Sequence, residues 1–340
     1  MAEINSPVVS WNGLYPDNPV EMHIVRNILL AQTYEAMGFD LYTGIRGPFN
    51  LTQSNFFSKI VKANPLTCDG STFTDISAAI TAKILNAKPM LVQLRQCGDV
   101  FQDTAFSYKR KNGALSNDLV GTELGQLAMK QVLPAVQYDV MRILLFGDTA
   151  SSDENYEQLD GLFKLLNAAV DAGTTKNIAV ANNYFATAGN AVKLFNDVAD
   201  NAPYALKMAV NTDKVIVASG SIVDALRRDL NNPVNNTGTF AAFQEGTVMT
   251  FNGIPIIRND QINQVIATDF SPSGVPTRPH RMWMTQRDNI VVGTNDANEM
   301  SDLLMWYSMD NDDTRMRAKF DLGIQIRDEN LISGAGLDAA

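Results

Sequence analysis

The clearest pattern in this chain is an alternation near its C-terminal end. From Met316 to Arg327, the residues Met316, Ala318, Phe320, Leu322, Ile324 and Ile326 share one parity, and Arg317, Lys319, Asp321, Gly323, Gln325 and Arg327 share the other. A repeat of two puts the sets on opposite sides of an extended backbone, so the pattern predicts a half-buried strand over 315–327. A longer repeat, near 3.6, predicts a helix over 117–147. Leu124, Leu127, Ala128, Ala135, Tyr138, Met141, Leu144 and Leu145 form its broad apolar face, with Asn117 as the cap and Gly147 as the stop. About 30 helical residues rise about 45 Å, and Pro134 inside the run predicts a kink.

Other segments are shorter. Asn18, Pro19 and Glu21 open a helix expected over 19–37 and closed by Gly38, with Ile24, Val25, Ile28 and Leu29 on its apolar face. Helices are also expected over 188–200 and 219–231, the second capped by Ser219 or Ser221 and buried through Ile222, Val223, Leu226 and Leu230. Between them Lys214–Ala218 is an uninterrupted apolar run after its lysine, the mark of a fully buried strand. Phe251–Arg258 reads as strand, turn, strand, and 259–279 as loop. Residues 1–18 are expected to form an extended arm, because Pro7, Gly13 and Pro16 interrupt Val8, Val9, Trp11, Leu14 and Tyr15. Residues 38–75 are rich in turn formers and too long for an ordinary loop, which predicts an excursion such as an extended hairpin. Spacing at 76–95 fits helix and strand equally.

Composition narrows the function classes. A chain of 340 residues with 45% hydrophobic and 19% charged side chains builds a large folded core in one or two domains. Its net charge of −10 and pI near 4.7 do not suit coating duplex DNA by phosphate neutralisation. An acidic wall could still enclose DNA without adhering to it. No apolar run is long enough to cross a bilayer, and the N-terminus lacks a secretory pattern. Cys68 and Cys97 read as two reduced thiols.

Searches for chemistry end in structural readings. Phosphate-binding glycine loops, zinc-ligand spacings and a nucleophile elbow are all missing. His23 and His280 have no partners in sequence and read as satisfied or exposed. Asp310–Thr314 has Arg315 where a calcium loop needs its glycine, and the twelfth position, Asp321, belongs to the alternation of the strand, so the run reads as an acidic surface turn. Arg227 and Arg228 read as solvent-facing. Lys109, Arg110 and Lys111 are the one dense basic cluster, a candidate contact for an acidic neighbouring subunit.

Four elements resemble the major capsid protein family of tailed bacteriophages. These are Leu159-Asp-Gly-Leu-Phe163, Gly253-Ile-Pro-Ile256, Arg287-Asp-Asn-Ile-Val-Val-Gly-Thr294 and Phe320-Asp-Leu-Gly-Ile-Gln325, in that order after a long helix. The resemblance covers about 74–332 and implies the α+β capsid fold of Hong Kong 97 type. It divides the chain into an N-terminal arm and helix (1–38), an extended loop region (39–90), a peripheral domain with the spine helix 117–147 (91–164), an axial domain (165–275) and a return to the peripheral domain with the terminal sheet (276–340). It also decides 76–95 in favour of strand. The implied function is structural rather than enzymatic, with no catalytic, cofactor or metal residues. The chain would pair with itself as hexamers and pentamers of an icosahedral shell, enclosing double-stranded DNA without sequence-specific binding and without a membrane. Its expected place is the virion capsid, assembled in the host cytoplasm. A portal, decoration proteins and a separate scaffold are further partners the resemblance admits; with no long helical segment ahead of the arm, assembly would use a separate scaffold or none. Trp11 and Tyr15 in the arm, Arg46 and Phe49 in the extended loop, and Lys109, Arg110 and Lys111 are the expected assembly-interface residues. An encapsulin-like compartment shell and an α+β enzyme with a dispersed site are the alternatives.

Overall fold

The computed structural model describes residues 37–45, 47–55, 79–101, 111, 113–231, 249–271, 278–295 and 303–337. In chain order the strands are β1 (Phe39–Tyr42), β2 (Pro48–Asn55), β3 (Ala79–Asn86) and β4 (Lys88–Gln96). Helices α1 (Glu123–Phe146) and α2 (Leu162–Asp171) follow, then β5 (Lys176–Ile178), α3 (Asn190–Asp200), α4 (Tyr204–Met208), β6 (Lys214–Ser219) and α5 (Gly220–Asn231). After them come β7 (Thr250–Phe251), β8 (Ile254–Asn259), α6 (Asp260–Asp269), β9 (Met282–Gln286), β10 (Ile290–Gly293), β11 (Leu304–Ser308), β12 (Asp313–Ile326) and β13 (Ile332–Ala335).

Strand β12 organises the first sheet. It pairs antiparallel with β10, β11 and β4, and β1 adds to β10 in parallel. The expected alternation holds: Met316, Ala318, Phe320, Leu322, Ile324 and Ile326 are all buried, while Lys319 is exposed and Arg317, Asp321 and Gln325 are half-buried. Phe320, Leu322 and Ile324 share one apolar core with Val140, Met141, Leu144 and Leu145 of α1 and with Leu162, Phe163 and Leu166 of α2. A helix laid on a sheet removes both apolar faces from water at once.

The second sheet runs β5-β13-β9-β6-β8-β7 and is covered on both sides. Val215 and Val217 of β6 face the first core with Trp283 of β9. Ile216 and Ala218 face a second core under α3, α4 and α5, with Leu194, Phe195, Leu206, Ile222 and Leu226. This two-sided cover explains why all six residues of β6 are buried, including Lys214, whose ammonium donates to the Lys207 carbonyl and to Asn211 Oδ1, both at 3.1 Å. Helices α3 and α5 fall within two residues of their expected spans.

Several expectations need correction. The cap of α1 is Thr122, whose Oγ1 accepts from Gly125 N at 3.1 Å, and not Asn117. Asn117 is buried five residues earlier and its amide donates to Asp99 Oδ2 at 3.0 Å and Asp312 Oδ2 at 2.9 Å. Two carboxylates distant in sequence hold it, and Gly121 at φ +74° turns the chain before the helix begins. The helix therefore has 24 residues; it stays continuous through Pro134 and stops at Gly147 as expected. Residues 260–269, expected as loop, form α6, because Asn259 Oδ1 accepts from Gln261 N and Ile262 N while Ile262, Val265 and Ile266 are buried on one face. Helix α2 and the short parallel strand β1 were not anticipated. The choice of strand over 76–95 agrees with β3 and β4, with Pro89 inside β4 opposite Asp321. The arm and the helix expected over 19–37 lie outside the described residues except for Met37, as do His23, Cys68 and the side chain of Leu127.

Candidate assembly surfaces

The excursion expected over 38–75 contributes one strand of an antiparallel pair, β2, whose partner β3 lies beyond it, and residues 56–78 between them lie outside the described residues. Strands β2 and β3 pair with each other in register from Pro48↔Asn86 to Asn55↔Ala79, and among the described residues with no third strand. An isolated pair of strands is marginal in water, so its root needs anchors. Leu51 and Leu85 bury with Ile45 and Val291. Gly293 permits this approach, since a Cβ there would stand 2.7 Å from Leu85 Cδ2 and 2.9 Å from Ile45 Cδ1. Polar contacts add direction. Lys83 pairs with Glu329, which also accepts from Thr174 Oγ1 at 2.8 Å, and Gln325 Nε2 donates to the Ile84 carbonyl at 3.0 Å. Burial alone would raise the Glu329 pKa, but Lys83 and Thr174 outweigh it and hold the carboxyl below its ordinary value. Nearby, Arg327 donates to Asp40 Oδ2 at 2.8 Å and Tyr42 Oη at 2.6 Å.

Of the expected interface residues, Phe49 and Lys111 are described, and they stand in different surroundings. Phe49 is on β2, 39% exposed, its ring tilted against Tyr42 at 5.9 Å. Lys111 pairs with Asp118 at 2.6 Å ahead of α1. That partner belongs to the same chain, so at least part of the charge of Lys111 is already compensated. Trp11, Tyr15, Arg46, Lys109 and Arg110 lie outside the described residues.

The structure exposes surfaces that composition did not single out. At the second sheet's end, Tyr204, Met208 and Val210 are 84%, 86% and 63% exposed, with Lys207 above the Tyr204 ring at 5.5 Å. Only the density of apolar residues after Pro203, too many for a helix of five residues, could have signalled this. An apolar groove of about 480 Å³ runs between α1 and β4, lined by Val132, Val136 and Ile143 on the helix and by Met90, Val92 and Leu94 on the strand.

His280 is satisfied by its surroundings. Its Nε2 lies 3.1 Å from the Asn182 carbonyl, which can only accept, so the proton sits on Nε2. Nδ1 therefore accepts from Ser221 Oγ at 2.8 Å, and Ser221 Oγ in turn receives Asn263 Nδ2 at 3.0 Å. Burial pushes the His280 pKa below its ordinary value, which keeps this neutral arrangement. The knot ties the start of α5 to α6 and to the loop before β9. Cys97 is a free thiol, 3.4 Å from Asn117 Oδ1, and Arg227 and Arg228 are exposed as expected.

No protein-family model and no curated protein matches this sequence. Solved structures do match. The chain is similar to one from the capsid of the native GTA particle, with 12% identity, 90% of each chain covered and a TM-score of 0.55. It is similar to one from the satellite phage P4 procapsid including size determination (Sid) protein, at 8% identity, covering 92% of this chain and 99% of that one, TM-score 0.53. Gordonia phage Cozz supplies a third, at 10% identity, 89% and 85% coverage and TM-score 0.53. The chain has the α+β capsid fold of Hong Kong 97 type, shared along nearly its whole length at identities where only fold is conserved.

Proposed function

We propose that this chain is a major capsid protein, a structural subunit that forms the hexamers and pentamers of an icosahedral shell around double-stranded DNA. The observation that carries the reading is the likeness in fold to phage and GTA capsid chains over about nine-tenths of the sequence. In this reading the extended hairpin is the loop region of 39–90, the β12 sheet with α1 is the peripheral domain, and 165–275 is the axial domain. The β2–β3 pair, whose described apolar anchors lie at its root, and the apolar tip at Tyr204 and Met208 are surfaces that a neighbouring subunit would cover. The net charge of −10 suits a wall that contains packed DNA without binding its sequence. A scaffold, portal and decoration proteins are the partners such a shell would recruit, and the host cytoplasm is where it would assemble. An encapsulin-like shell and an enzyme have no observation in their favour.

Electron microscopy and size-exclusion chromatography of the expressed protein test this. Megadalton icosahedral particles are expected, with nucleic acid inside those purified from their native source. A monomer that stays inert at high concentration in every salt would refute it. Deleting residues 1–18, which we propose to lie across neighbouring subunits, should abolish particles while the unassembled chain keeps its cooperative melt. Normal particles from the truncated chain would exclude that role.

A further inference from the structure

The outer face of the first sheet gathers cations that are scattered in sequence. Register places Arg95 opposite Arg315 and Leu91 opposite Lys319 across the β4–β12 pair, and Leu304 opposite Arg317 across the β11–β12 pair. By the two-residue repeat these side chains share the face turned away from the core. Arg315 is engaged by Asp313 at 2.8 Å, and Asp321 stands at the far end of the row. Among the described residues Arg95, Arg317 and Lys319 meet no carboxylate, and the Nε of Arg317 is buried with no acceptor. Leu91 and Leu304 are exposed beside them and border a depression of about 710 Å³. In a chain of net charge −10, this row is a local reversal of sign.

The matching charge lies on the loop 148–160. Lys164 holds Asp148 and Asp160, both at 2.6 Å. Asp153, Glu154 and Glu157 remain exposed and meet no cation among the described residues. The loop is stiff. Asp148 N donates to the Tyr156 carbonyl at 2.8 Å, Tyr156 N to the Asp153 carbonyl at 3.0 Å, and the buried Tyr156 ring packs 5.1 Å from Phe270 with its hydroxyl on Asp269. Asn155 and Gln158 of this loop line the groove under α1 together with Val92 and Leu94. The acidic loop thus borders the helix side of the sheet while the cation row lies on its outer face, and within one chain Asp153, Glu154 and Glu157 meet none of these cations among the described residues.

We propose that the outer face of the β4–β12–β11 sheet docks the acidic loop 148–160 of a second copy. The proposal rests on the shell reading above and names one of its contacts. A contact between two different patches of identical chains is head-to-tail, the kind that closes rings. Strand pairing and turn hydrogen bonds hold the backbone under both patches before they meet, which limits the ordering cost to side chains, and opposite charge sets register and rate. Leu91 and Leu304 provide the apolar collar that excludes water around the ion pairs.

The test is a charge exchange in the full chain. Arg95→Glu with Lys319→Glu, and separately Glu154→Lys with Glu157→Lys, change exposed side chains, and circular-dichroism melts check that each variant folds. Each pair is expected to lower the particle yield at low salt about tenfold or more, and the four changes together should restore it to within about threefold. Particle yields equal to the parent in either pair, or no recovery in the combination while all variants melt normally, would overturn the proposal. So would an Arg95→Glu, Lys319→Glu variant that assembles normally but retains less DNA, since the row would then face nucleic acid. Absence of particles from the parent chain would remove the shell reading itself, before any variant is compared.

Discussion

Phe320→Ala is the sharpest test of how α1, α2 and β12 hold the fold. The Phe320 side chain is 5% exposed and shares its cluster with Val140, Leu144, Leu322 and Phe163. Truncating a buried phenylalanine costs about 3–5 kcal/mol, the lost transfer energy plus a cavity that closes only in part. Two features place this site at the lower end, about 3 kcal/mol. Phe320 lines both the outer depression and the groove under α1, so water can reach the vacated space. Its cross-strand partner Met90 can lean into part of the gap, being flexible and half of an edge pair. Lys319→Ala, one residue away on the exposed face, should cost less than about 0.5 kcal/mol. Urea unfolding of the unassembled protein, with linear extrapolation and unchanged slope, measures both. Equal penalties at the two positions would show that the register of β12 is wrong.

Thr122→Ala should destabilise the unassembled chain by about 1 kcal/mol, as loss of an N-cap, while Asn117→Ala should act through the Asp99 and Asp312 carboxylates instead; a Thr122→Ser variant that does not recover the loss would count against the cap. The knot at His280 predicts a pH dependence. Burial lowers its folded pKa beneath the ordinary value of 6.5, so the unfolded chain takes up the proton first as pH falls. Stability from this group is complete above about 6.5 and declines below it as pH falls toward the folded pKa. Urea midpoints from pH 7 downward should lose that slope in His280→Gln, and an identical slope in the variant would refute the assignment.

Much of this fold is legible in sequence where one physical signal dominates. The alternation of β12 survives because one face is core and the other is solvent, and Lys214–Ala218 is apolar throughout because cores lie on both sides of it. Legibility fails where tertiary contacts decide. Asn117 has the look of a cap, but carboxylates 18 residues before it and 195 after it take its side chain. Helix α6 had a visible cap in Asn259 and visible spacing at Ile262, Val265 and Ile266, and the turn formers that follow concealed it. Strand β1 has four residues and pairs in parallel, too short to display a period. The cation row is invisible in one dimension, since Arg95 and Arg315 are joined only by strand pairing. Of the interface residues expected from sequence, Phe49 and Lys111 can be placed, and neither belongs to that row.

The same two-residue repeat that folds the chain also separates its tasks. Along β12 the even positions carry the core, and the odd positions Arg317 and Lys319 carry the charge that the proposed contact would use. A slip of one residue would exchange the two sets completely, burying cations and exposing Phe320, Leu322 and Ile324. The fold of the chain and the proposed docking face therefore depend on one register. Pairing with β10, β11 and β4 pins it along the whole length of the strand, from Asp313 opposite Ser308 to Ile326 opposite Ile290. The exposed charge of Lys319 can then change without loss of folding, and a buried apolar residue at an even position cannot. Substitutions along this strand should divide by face: Phe320, Leu322 and Ile324 replaced by Ala lower the melting temperature of the unassembled chain, and exposed Lys319 replaced by Glu leaves it alone while lowering the yield of particles.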